Sequence, residues 1–109
     1  MPNTQPKPPQ LYTEFVERYP DLARAWEAIA DAGRKGPLDD KAARLVKLAV
    51  AVGAGREGAV HASVRKALAM GIQPEEIEQV VALAAGTLGL PSAVAAYGWV
   101  RDIVDADNG

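Results

Sequence analysis

Hydrophobic positions recur at helical spacing along nearly the whole chain, beginning with Leu11, Phe15, Leu22, Trp26 and Ile29, with acids and bases between them. Pro20 predicts a kink or a split near Tyr19, and Gly33 with the "GRKGP" run predicts the end of this segment. A second helix is expected from Asp39 to about Val52. Asp39 or Asp40 would cap its amide end, and Ala42, Leu45, Val46, Ala49 and Val50 would form its apolar side, with Gly53 and Gly55 breaking it. The third expected helix runs from about Arg56 to Met70 on a stripe of Val60, Val64, Ala67 and Leu68, and Gly71 suits a left-handed cap. "IQPEEIEQVVALAAGTLG" reads as a further helix, with Pro74 in its first turn, Glu75 and Glu76 at the positive end of its dipole, and Gly89 as its stop. Pro91 opens the last one, expected to reach about Val104 through Val94, Tyr97, Val100 and Arg101. No period-two strand pattern competes. The fold class is all-α, with about five to six helices.

Four of the eight prolines lie within residues 1–9, so residues 1–10 are expected to form a proline-rich, non-helical arm. Residues 11–105 are then expected to make a single helical domain, with 106–109 as a tail. A chain of 109 residues has room for one modest core. Only 6% of its residues are aromatic against 49% hydrophobic, so that core must rest on Ala, Val and Leu. Small side chains suit close helix packing. A single helical chain of this length often leaves an apolar face uncovered, which predicts a homo-oligomer.

The formal charge of −2 gives no electrostatic reason to bind nucleic acid or an anionic membrane. Zero cysteines excludes disulfides, thiolate metal sites and any thiol nucleophile within the chain. No segment approaches the roughly 20 apolar residues that span a bilayer, and "MPNTQPKPPQ" has no apolar signal region. A cytoplasmic location is the expectation.

The segment "LDDKAARLVKLAVAVGAGREGAVHASVRKALAMGIQPEEIEQVVALAAGTLGLPSAVAAYGWV" resembles the carboxymuconolactone decarboxylase-like domain, the superfamily that includes alkylhydroperoxidase D. The resemblance covers roughly residues 37–104. It rests on "LDDK" opening a helix, "LAVAVGAG" leading into the next, "VRKALAMGIQPEEI" at a helix junction and "LGLPSAVAAY" before the last helix. It implies an α-helical protomer assembling as a dimer, trimer or hexamer, with active sites near protomer contacts. Redox members carry Glu, then Cys-x-x-Cys, then His. Aligned without gaps through "VRKAL" and Gly71, those positions fall on Arg44, Arg56, Ala59 and Ser63. All four residues are replaced, so thiol peroxidase activity is not carried over.

The decarboxylase branch, also without the reactive cysteines, is similar in its "GRE" opening, kept here as Gly55, Arg56, Glu57 and Gly58. Its histidine lies seven residues after the arginine, whereas His61 lies five after Arg56. Two residues rotate a helical side chain by about 200°, so His61 is expected to leave its helix almost opposite Ser63.

Glu57 and His61 stand four apart on one helix face and could form a carboxylate–imidazole pair for proton transfer, or an ordinary surface pair. By the resemblance, Arg56 and Arg44 would clamp the carboxylate of a small acidic or lactone substrate. The plainer alternative is that each pairs with an acid or lies at an exposed helix end. Ser63 is read as a space-filling residue bonding back to its own helix, or less simply as part of the substrate site. Trp26, Tyr97 and Trp99 are read as core or interface anchors. No cofactor and no metal ion is implied. Two functions stay open: a cofactor-free lyase or isomerase on a small carboxylate or lactone, and a non-catalytic binding or assembly protein on the same scaffold.

Overall fold

The computed structural model describes residues 10–108, and all of its elements are helices: α1 (Gln10–Arg18), α2 (Pro20–Arg34), α3 (Asp40–Ala54), α4 (Glu57–Ala69), α5 (Pro74–Leu88) and α6 (Leu90–Asn108). The expected proline-rich arm lies outside the described residues, apart from Gln10, which already belongs to α1. Chain contacts divide the described residues into two compact units, α1–α2 and α3–α6.

In the first unit Pro20 splits the segment as expected, because its ring cannot donate an amide to α1 but suits the first turn of α2. The Tyr19 amide closes α1 by donating to the Phe15 carbonyl, and the two rings pack with centroids 5.1 Å apart. Neither helix buries a residue. Leu11, Phe15, Trp26 and Ile29 each leave more than half of their surface exposed.

The α3–α6 unit holds the core: Leu48 and Val52 from α3, Val60 and Val64 from α4, Ile77 and Val81 from α5, and Ala96, Val100 and Val104 from α6. Asp39 is the α3 cap, its carboxylate accepting from the Ala42 amide at 2.7 Å. Gly53 does not break α3, which continues to Ala54. The stop comes at Gly55, whose φ of +66° lets its amide reach the Val52 carbonyl and the Arg56 amide reach that of Ala51. The same paired closure ends α4, where Gly71 at φ +86° donates to Leu68 and Ile72 donates to Ala67. The first of these tight exits turns α4 back against α3, and the second leads on to α5. At the start of α5 the Gln73 amide donates to Glu76, and Lys41 of α3 donates to the same carboxylate at 2.6 Å. The Lys41 bond, then the Gln73 bond, hold the Glu76 carboxyl below its ordinary range. The gain is therefore present above that range and is lost as acid protonates the carboxylate.

α3 buries a different face from the one expected, and α6 buries only part of the line that its sequence suggested. On α3, Leu48, Ala51 and Val52 are buried, whereas Val46 and Val50 are 50% and 66% exposed. On α6 the buried line is Ala93, Ala96, Val100 and Val104, while Val94 and Tyr97 face outward. Both helices carry two overlapping apolar stripes, so the 3.6-residue period has two solutions. Small alanines won the inner face of α6 because they let its neighbours approach closely. The helix also runs through 106–108, the expected tail.

A candidate site on the α4–α6 face

Arg56 precedes α4 in an extended conformation, and Glu57 opens the helix, so the "GRE" run forms the turn between α3 and α4. One turn further along α4, His61 is largely covered, with 22% of its side chain accessible. Its Nε2 lies 3.1 Å from Oδ2 of Asp102 on α6. A carboxylate can only accept, so Nε2 is the donor and Nδ1 is left as the basic nitrogen. Glu57 completes the group, and one donor atom from each of the three residues lies within 4.8 Å of the others. The hydrogen bond of His61 thus goes across to α6 rather than along α4 to Glu57.

Ser63 departs from this face altogether. It is 5% exposed, next to the core residue Val64, and its Oγ has no hydrogen-bond partner. The expected bond back to its own helix is not made. Arg44 on α3 is half-buried, its Nε has no partner, and desolvation pushes its guanidinium pKa down. Arg56 is exposed. Among the described residues, no hydrogen bond or ion pair joins Arg44, Arg56 or Ser63 to His61. Of the five residues singled out from sequence, the structure brings together Glu57 and His61 and adds Asp102. The sequence carried no signal for Asp102: its partner lies 41 residues away, and only the packing of α6 on α4 brings them together.

A second feature lies between α3 and α5. Leu45, Val46 and Ala49 of α3 and Val80, Leu83 and Ala84 of α5 line an open apolar groove of ≈ 520 Å³, with Glu76 and Gln79 as its polar members.

The family model for the carboxymuconolactone decarboxylase family matches residues 20–102, more than half of the chain. The chain belongs to the carboxymuconolactone decarboxylase family. No curated protein and no solved structure matches it. Within this family fold, the position read as the redox histidine is Ser63, enclosed in the core, and the one imidazole emerges elsewhere on α4. The two-residue offset between them sends one side chain inward and the other towards α6, as helical rotation requires. Among the described residues, no helix is long and apolar enough to cross a membrane.

The orphan hydroxyl makes a specific prediction. Replacing Ser63 by Ala removes an unmet hydrogen-bonding group and little volume, so stability to urea should hold or rise, by up to about 1 kcal/mol. A loss above about 1 kcal/mol would mean that the Oγ has a partner after all.

Proposed function

We propose that this family member acts through assembly: its helical scaffold associates with a second copy of itself, burying the α3–α5 groove, and carries no decarboxylase chemistry. The observation that carries this reading is the doubly apolar α3. Its inner stripe fills the core, and its outer residues Val46 and Val50, with Leu83 across the groove, remain at least half exposed. A helix that is apolar on both faces is stable in water when both are covered. An isologous contact would place the same patch on itself and bury both copies in one step. Light scattering on purified protein tests this by measuring the mass in solution.

A second reading is supported by the His61–Asp102 pair. In a lyase or isomerase on a small carboxylate or lactone, Asp102 would orient the imidazole and His61 Nδ1 would move the proton, with Glu57 beside it. Arg44 or Arg56 would fix the substrate anion, and the unused Arg44 Nε–H is one donor for it. Among the described residues, no hydrogen bond or ion pair joins Arg44 or Arg56 to His61, so this reading ranks second. The assembly reading expects no turnover of a γ-lactone acid above the buffer rate. Turnover that disappears in His61→Ala would establish the lyase instead.

A further inference from the structure

We infer that Glu57, His61 and Asp102 form a binding site for a divalent transition-metal ion of the zinc class, clamping α4 to α6. The sequence restricts where such an ion could bind. With one histidine and no cysteine in 109 residues, a zinc site with a nitrogen or sulfur side-chain ligand has to be built on His61. The geometry around that imidazole matches the need. Bonds of about 2.0–2.2 Å place neighbouring ligand atoms roughly 3 to 3.6 Å apart around a metal ion. His61 Nε2 and Asp102 Oδ2 are already 3.1 Å apart. An ion between them would replace the Nε2 proton and keep both atoms where they are.

Glu57 provides the third donor. It precedes His61 by one helical turn, and its carboxylate falls within 4.8 Å of both other ligand atoms, a gap that a small side-chain rotation closes. The charges point the same way. The single Nε2 proton serves one of the two carboxylates, whereas a divalent cation attracts both. Arg101, next to Asp102 in sequence, does not compete, since it is committed to Glu78 at 3.1 Å and Asp105 at 2.5 Å. Three protein donors leave the remaining coordination positions to water. The inference is independent of the assembly reading, because these residues are not among those lining the α3–α5 groove.

Untagged full-length protein titrated with zinc chloride provides the test, read by calorimetry and by the carbon-bound ring protons of the lone histidine in NMR. The expected result is uptake of about one ion per chain with a shift of the imidazole resonances. Glu57→Gln and Asp102→Asn should each weaken binding at least about 10-fold, the lower bound for disturbing a metal site. Glu75→Gln, an exposed acid on α5, should bind as the wild type does. Unmoved imidazole resonances at millimolar zinc would overturn the inference. So would wild-type affinity in the Asp102 variant, or binding that survives His61→Gln.

Discussion

Replacing Leu48 by Ala should lower the free energy of unfolding by about 2–5 kcal/mol, the range for a buried leucine that leaves a cavity. Leu48 has no exposed surface and is among the largest fully buried side chains of the α3–α6 unit. The alanines of this core favour the upper part of that range, because they limit how far it can collapse into a void. Ala51, Ala67, Ala93 and Ala96 are among the other core residues, and an alanine has no rotamer that could swing inward. Against a typical total of about 5–15 kcal/mol, such a change removes a large share of stability. On the dissociated protomer, Val50→Ala, two residues away and 66% exposed, should stay within about 0.5 kcal/mol of wild type. Urea denaturation of the pair reads out the rotation of α3 directly. Equal costs, or a larger cost at Val50, would place the other face of the helix inward.

The second large effect concerns the outer face. Leu83→Glu should dissociate the assembly while leaving the protomer folded. The side chain is 72% exposed, so a carboxylate there costs the isolated protomer little. Within an apolar contact the same charge would be buried without a partner, at a cost of several kcal/mol. Association should therefore weaken at least about 100-fold, equivalent to roughly 2.7 kcal/mol. Val46→Glu, on the opposite wall of the groove, should behave alike. Circular dichroism would confirm that both variants remain helical, and sedimentation would report the loss of association. Wild-type association in both variants would remove the groove from the interface.

Much of the fold was legible because its punctuation is strong. Pro20, Asp39, Gly55, Gly71 and Pro74 each occupy a backbone position with few alternatives, and the helices begin and end around them. The facing of α3 and α6 was not legible from period alone. "LVKLAVAV" offers a stripe through Leu45, Leu48 and Val52 and another through Val46, Ala49 and Val50, and hydrophobicity does not rank them. The core selected one and the groove took residues of the other. The candidate site divided in the same way. The i,i+4 spacing placed Glu57 and His61 on one face, and the rotation between residues 61 and 63 predicted their divergence. Asp102 had no local spacing to reveal it. The unpartnered Oγ of Ser63 is equally a product of packing, since only the neighbours of α4 decide whether a helical serine is enclosed.

The most direct test of the assembly account is the mass of the wild-type protein in dilute solution, measured by multi-angle light scattering. With a protomer of 11.5 kDa, the account predicts at least twice that value. A species that remains at 11.5 kDa as concentration rises would contradict it.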